Sequence, residues 1–358
     1  MSTYGLQSYL ETSRQVAERS GDSSTGTLLR MLAAKCAYGL SANEYGLYRL
    51  YERPWSRLKM FMTKKQTTAL FSRVNPDDQC PAVQDKFEFH RRCTGAGLPV
   101  PVLRAILSHD RQAAVGDIPR LASFRDALES FVYSAGTQWI LKPRRDALGT
   151  GVRFVELRAS GPVDFLGQSI DIQQFDVDLQ VDMQRDDYLV QHFVRPHPCV
   201  AGWASGKALG TLRIVTFVRG ADVDLLYALA RIPCGRNVHD NFSGGSSGNL
   251  VACISAESGR LQLAFGRRDN RFSRLLEAFE FNPDTGRPIA GEVVPDWDEV
   301  RATVRRAALE FRSLPLLGWD IALSTDGIVI IEANSNPDII GAQVSSGLGA
   351  RELLHALI

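Results

Sequence analysis

The chain has 358 residues, 44% of them hydrophobic and 23% charged, with a net charge of +1. That length exceeds one ordinary domain and, with this composition, suits a globular protein of two or three domains with a sizeable core. Near-neutral charge gives no global attraction to nucleic acid or membrane, and no apolar run reaches the roughly 18 residues of a spanning helix. Six scattered cysteines without a C-x-x-C pair argue against a zinc site or a disulfide framework and for a reducing, cytoplasmic setting. The first residues, Met1 to Leu6, carry neither a basic nor an apolar region, so no signal peptide is expected.

Residues 5 to 72 read as helical, with Leu28, Leu29, Leu32 and Ala33, then Tyr45, Leu47, Tyr48 and Tyr51, at helical spacing and Pro54 as an interruption. A basic cluster there (Arg49, Arg53, Arg57, Lys59, Lys64, Lys65) reads as a solvated helical face. The turn residues Asn75 to Asp78 mark a boundary, and a helix is expected from Val83 to Cys93. A strand follows near Leu103–Leu107, then an amphipathic helix from Ser123, a plausible N-cap, to Tyr133. Strands are expected at Gln138–Pro143, Val152–Leu157 and Tyr188–Val194, the first two joined by a polar, glycine-bearing loop. Further strands read at Thr211–Phe217, Val223–Ile232, Leu250–Ser255 and Arg260–Phe265, before a clear helix at Asp296–Arg312.

The most informative stretch comes last. Leu317–Leu323 and Ile328–Ile331 are apolar, β-branched runs flanking Asp326-Gly327, a strong hairpin signal. A three-residue loop, Thr325 to Gly327, would set Asp320 opposite Glu332, with Asn334 on the same face. Two carboxylates and an amide oxygen make a hard oxygen cluster of the kind that holds Mg²⁺. The competing reading is a buried hairpin with acids at its wet end.

Other residues suit phosphate chemistry. Lys142 ends a strand before Gly149-Thr150-Gly151, whose backbone N–H groups can approach phosphate oxygens closely. An ordinary hairpin loop is the alternative there. Arg213, on an alternating strand, is placed for a bidentate phosphate contact or a structural ion pair. Arg231 could stabilise a developing oxyanion, and Asn241 with the Gly244-Gly245 turn could approach a transferred phosphoryl group. His239 beside Asp240 reads as a surface turn pair rather than a base. Gly244-Gly245-Ser246-Ser247-Gly248 matches a nucleophile elbow, but the expected strand after it does not fit that motif.

The order of these pieces resembles the ATP-grasp superfamily: Lys-Pro with a glycine loop, the Val190–Val194 strand, Thr211–Thr216, Gly318-Trp319-Asp320 and Glu332-Ala333-Asn334. With Asp85-Lys86, the stretch from Pro283 to Gly291 and Pro295-Asp296-Trp297, it resembles the sugar-transfer-associated group within it. The resemblance implies an α+β ATP-grasp fold, with two α+β subdomains clasping ATP between antiparallel sheets and a helical N-terminal region. It implies boundaries at 1–78, 79–134, 135–194 (the lid with its glycine loop) and 195–358 (the metal-bearing subdomain). It also implies that Lys86 and Lys142 contact ATP phosphates, that Gly149 to Gly151 form a mobile lid, and that backbone groups of Gln191, His192, Phe193 and Val194 bind adenine. His192 stands where many relatives carry a glutamate. Arg213 would meet the terminal phosphate, and Asp320, Glu332 and Asn334 would hold Mg²⁺, with Mn²⁺ as its substitute. The implied activity is a ligase joining a small-molecule carboxylate to an amine through an acyl phosphate. A kinase acting on a hydroxyl and a non-catalytic nucleotide-binding module are the alternatives. No nucleic-acid or membrane partner is expected, and packing or homodimerisation is the expected role of the N-terminal helices.

Overall fold

The computed structural model describes residues 3–109, 116–131, 133–145, 151–204, 208–235, 237, 239–267 and 273–357. The chain divides into two compact units, one of residues 1–79, 196–323 and 334–358, the other of 80–195 and 324–333.

The first unit opens with four helices, α1 (Thr3–Ser20), α2 (Ser24–Tyr38), α3 (Ala42–Leu47) and α4 (Lys64–Val74). Local chemistry sets their ends. Ser23 Oγ accepts the Gly26 N–H at the start of α2, and Gly39, at φ 78°, closes it in the left-handed region. Ser41 with Glu44 and Thr63 with Gln66 form capping boxes at the starts of α3 and α4. Between them the backbone tightens into two 3₁₀ turns, Leu50–Glu52 and Trp55–Met60, on either side of Pro54. The apolar face of this region is not separate from the rest of the unit: Tyr45, Leu47, Tyr48, Phe61 and Phe71 share one core with Val215, Tyr227, Leu229 and Phe265. The basic cluster is only partly a solvated face, because Arg49 stacks over the Phe265 ring at 4.4 Å and Arg57 pairs with Glu352 at 2.7 Å.

The second unit holds α5 (Pro81–Gln84), α6 (Lys86–Gly95), β1 (Leu103–Leu107), β2 (Arg120–Leu121), α7 (Phe124–Ser130), β3 (Thr137–Pro143), β4 (Arg153–Arg158), β5 (Gly161–Val163), α8 (Ile172–Met183) and β6 (Tyr188–His192). The helix expected from Val83 to Cys93 is two helices. Asp85 leaves helical geometry (φ −86°, ψ 104°) and caps α6 with its side chain, accepting from Phe87 and Glu88 N–H. The six strands run in the order β2-β1-β6-β3-β4-β5, antiparallel except for β1 with β2. One face carries Trp139, Leu141, Val190 and Leu107 against Phe124, Leu179 and Met183 of α7 and α8. The other carries Leu103, Ile106 and Leu189 against Phe87 of α6.

The rest of the first unit comprises α9 (Pro198–Trp203), β7 (Thr211–Arg219), β8 (Asp222–Ile232), β9 (Leu250–Ile254), β10 (Leu261–Gly266), β11 (Glu277–Phe279), α10 (Trp297–Glu310), β12 (Leu316–Ser324), α11 (Ile340–Ser346) and α12 (Ala350–Leu353); β13 (Gly327–Asn334) falls in the second unit except for its last residue, Asn334. The sheet order is β11-β10-β9-β8-β7-β12-β13. Val300, Val304, Ala307, Ala308 and Phe311, the expected face of α10, are all buried. The turn between β12 and β13 comprises Thr325 and Asp326, two residues where a three-residue loop is expected, with Gly327 (φ 115°) already in the strand. Among the described residues no helix is long and apolar enough to cross a membrane.

Candidate functional site

In the first unit, register alone gathers the charged side chains on one sheet face. Arg213 pairs across the ladder with Asp320 on β12 and Leu229 on β8, while Thr211 pairs with Arg231. Directly opposed residues share a face, as do residues two apart along a strand, so Thr211, Arg213, Arg231 and Asp320 project together. Asp320 is 1% exposed. Its carboxylate accepts from Arg213 Nε at Oδ1, from Arg213 Nη2 at Oδ2 (3.0 Å) and from Arg231 Nη2 at Oδ2 (2.8 Å). Of the two readings of Arg213 left open by the sequence, the structure shows the ion pair, a bidentate one with Asp320. Gly318, two residues before Asp320, allows this approach. A Cβ there would come within 2.6 Å of Pro337 Cβ and 3.3 Å of Arg213 Cδ.

Arg231 is held from a second side. Its Nη2 lies 3.2 Å from Asp240 Oδ1, and its Nε and Nη2 donate to Thr211 Oγ1 at 3.0 and 2.8 Å. Asp240 Oδ2 in turn accepts from the Thr211 N–H (3.0 Å) and hydroxyl. Arg231 Nη1 also reaches Asn241 Oδ1 at 3.4 Å, which brings the expected Arg231 and Asn241 together. The loop carrying Asp240 and Asn241 owes its shape to Asn249. That side chain is fully buried, accepts from Cys234 N–H and donates to the carbonyls of His239 and Asn241 at 2.9 Å each. Asp240 is therefore no surface turn residue: it is buried and ion-paired, while His239 is exposed. β9 follows the glycine-rich stretch, as expected.

Asn334 closes β13, and Glu332 stands two residues before it on the same strand, hence on the same face. The Asn334 Nδ2 atom is buried without a hydrogen-bond partner. A half-turn of the amide exchanges its nitrogen for its oxygen, so the same place can offer an acceptor. Among the described residues no three His, Cys, Asp or Glu side chains gather at metal-binding distance.

In the second unit, Lys142 is buried on β3 and pairs across the ladder with Leu189. Ile140 pairs with Gln191, which is also buried, so Lys142 and Gln191 lie on the face covered by Phe87. Lys86 opens α6, and its N–H donates to the carbonyl of Arg144 at 2.9 Å. Asp85 secures this junction through both carboxylate oxygens, which accept from Arg144 Nε at 2.8 and 2.9 Å. Burial raises the Asp85 pKa, but Arg144 and the Glu88 and Phe87 N–H groups outweigh it and hold the carboxyl below its ordinary value. In the segment expected to bind adenine, the His192 N–H donates to Val102 and the Phe193 N–H to Gln138, each at 2.9 Å. Burial, with the Arg104 charge, lowers the pKa of His192. Gly151 has φ 74°, and a Cβ there would stand 2.7 Å from Tyr188 Oη. Gly149 and Thr150 lie outside the described residues.

Sequence reasoning passed over Thr211, Asp240 and Asn249 as site residues. The one available signal was their position beside Arg213 and Arg231 in a segment dense in Asn, Asp and Gly.

Several solved structures are similar to this chain. The N5-carboxyaminoimidazole ribonucleotide synthetase in its ADP complex shares 13% identity over 72% of this chain and 45% of its own, with TM-score 0.38. D-alanyl-alanine synthetase A from Vibrio cholerae shares 11% over 77% and 64%, with TM-score 0.44. An L-amino acid ligase from Bacillus licheniformis shares 14% over 78% and 49%, with TM-score 0.42. The chain thus spans between 45% and 64% of the length of these three. A search of curated proteins returns no match. The family model for sugar-transfer associated ATP-grasp proteins matches residues 65–357, and it covers the Arg213, Arg231 and Asp320 cluster, both lysines and the closing hairpin. The chain belongs to the sugar-transfer-associated ATP-grasp family.

Proposed function

We propose that the chain is an ATP- and Mg²⁺-dependent ligase joining a small-molecule carboxylate to an amine through an acyl phosphate, with release of ADP and phosphate. The observation that carries this reading is the buried Arg213–Asp320–Arg231 cluster on one sheet face in a chain of this family. Guanidinium groups fixed before the reaction can meet developing oxyanion charge without reorganising, and a dry site strengthens that interaction.

In this reading Lys86 and Lys142 contact the ATP phosphates as point charges, and Gly149 to Gly151 close over them. Adenine is read by the backbone of Gln191 to Val194, where the His192 and Phe193 N–H groups already have protein partners. Asp320, Glu332 and Asn334 would hold Mg²⁺, or Mn²⁺ in its place, with Asn334 turned so that its amide oxygen takes the place of the unpartnered Nδ2. The bound cation would neutralise phosphate charge and polarise the γ-phosphoryl group. A carboxylate oxygen of the substrate attacks the γ-phosphorus and ADP leaves. Arg213 and Arg231 take up the charge on the phosphoryl oxygens. An amine nitrogen then attacks the acyl carbon, and phosphate departs. Exclusion of water by the glycine loop protects the acyl phosphate between these steps.

The test is ADP release from the purified chain with ATP, Mg²⁺ and pooled carboxylic acids, with hydroxylamine as the trapping amine. A ligase releases ADP in a carboxylate-dependent manner and yields a hydroxamate, and Glu332→Ala abolishes both. A stable phosphate ester formed without hydroxamate would instead establish the hydroxyl kinase. Undiminished turnover in Glu332→Ala would remove the metal assignment.

A further inference from the structure

Arg267, immediately after β10, is 7% exposed, and its Nε is buried without a hydrogen-bond partner. Among the described residues the charge acting on it is that of Arg274, a like charge, and burial together with Arg274 lowers its pKa. A buried lysine could escape by losing its proton, but arginine keeps its charge throughout the accessible pH range. Folding therefore leaves a positive charge under cover that an anion would neutralise.

Two more arginines stand nearby, each with an acid of its own. Arg49 stacks over Phe265, two residues before Arg267, and pairs with Glu52 at 3.7 Å. Arg274 reaches Glu11 at 3.4 Å. The glycine-rich loop lies directly on the Arg267 stem. Gly245, at φ 85°, sits where a Cβ would approach Leu276 Cδ2 at 2.7 Å and Arg267 Cγ at 3.4 Å. The contact gives Gly245 a packing reason beside the phosphoryl role expected of its turn. Close by, the buried Thr12 hydroxyl also lacks a partner, and its methyl group packs where Gly46 meets the carbonyl of Arg274.

We infer that the buried Arg267 side chain, against the Gly245 turn, is a binding site for a small oxyanion, the phosphate or carboxylate group of a small molecule. The inference does not rest on the ligase reading, and its test requires no turnover.

Thermal unfolding of the full chain is followed in rising sodium phosphate and, separately, sodium acetate, with sodium chloride holding ionic strength constant. Saturating the site stabilises the folded chain by mass action, so one or both anions should raise Tm by roughly 2–4 °C or more over the chloride control. A response to phosphate alone assigns a phosphate group, and a response to acetate alone a carboxylate. Arg267→Met should abolish the response and, without either anion, melt no lower than the parent, since it removes an uncompensated buried charge. Three results overturn the inference: no response beyond chloride in the parent chain, an undiminished response in Arg267→Met, or an Arg267→Met chain that is less stable or unfolded without anions. The last would mean that Arg267 has a protein partner.

Discussion

Asp320→Ala is the perturbation with the largest expected effect. The carboxylate is 1% exposed and accepts three guanidinium N–H groups from two arginines. Its loss takes the bidentate carboxylate from Arg213 and leaves Arg231 with Asp240, which already accepts from Thr211. Removing one member of a buried pair costs about 3–5 kcal/mol, because the charge left behind has no solvent to turn to. At about 2–4 °C per kcal/mol for a unit of this size, Tm should fall by roughly 6–20 °C. Urea unfolding of the single variants Asp320→Ala and Arg213→Met and of the double variant completes a mutant cycle. The double variant should lose less than the sum of the two singles, with a coupling on the order of 1–3 kcal/mol. A single-variant loss under about 1 kcal/mol, or additive losses, would refute the claim that a desolvated ion pair organises this face.

Two further outcomes follow from the second unit. Gly151→Ala adds a Cβ at φ 74° within 2.7 Å of Tyr188 Oη and 3.0 Å of Pro143 Cγ, a strain of about 1–2 kcal/mol, so the KM for ATP should rise about tenfold; steady-state kinetics showing an unchanged KM would remove the loop from nucleotide binding. Asp85→Asn keeps a capping side chain but loses the ion pair with Arg144. Because the folded pKa of Asp85 is depressed, its contribution is fully present above the unfolded pKa, near 3.8, and disappears as pH falls through the folded value. Chemical unfolding of both proteins from pH 7 to pH 2.5 should therefore show a constant gap down to about pH 5 that closes in acid. A gap that widened below pH 4 would contradict the sign of the shift.

The strands bearing Lys142, Gln191, Arg213 and Asp320 were legible in the sequence because each is an apolar run with a polar residue at a defined parity. Other features were not legible, for physical reasons. Nothing in the sequence suggested α8, since Asp176-Val177-Asp178-Leu179-Gln180-Val181-Asp182 alternates with the period of a strand. Its helical register comes from the Asp171 cap, which accepts from Gln173 and Gln174 N–H, and from Phe175, Leu179 and Met183 recurring every fourth residue against the sheet. Val177 and Val181 pay no such role and stay 53% and 55% exposed. The hairpin turn came out one residue shorter than expected because Gly327 tolerates the φ of 115° that lets the strand begin there. Asp240 looked like a surface residue since the contacts that bury it come from Thr211 and Arg231, and no local pattern reports a partner 29 residues away.

Asn75 ties the helical region to the sheet within the first unit. Its amide donates to the carbonyls of Leu316 and Ser335, each at 2.7 Å, and its oxygen takes the Leu316 N–H at 3.0 Å. A single side chain from the end of the helical region thus pins the entry to β12 and the exit from β13. Gln343 repeats the device, exchanging two bonds with the Met62 backbone. A truncated version starting at the Asn75–Asp78 turn's far side would look tidy on paper yet would strip partners from backbone groups in the interior. The strand that presents Asp320 would then be anchored at one end fewer, so the end of the amino-terminal helical region braces that strand.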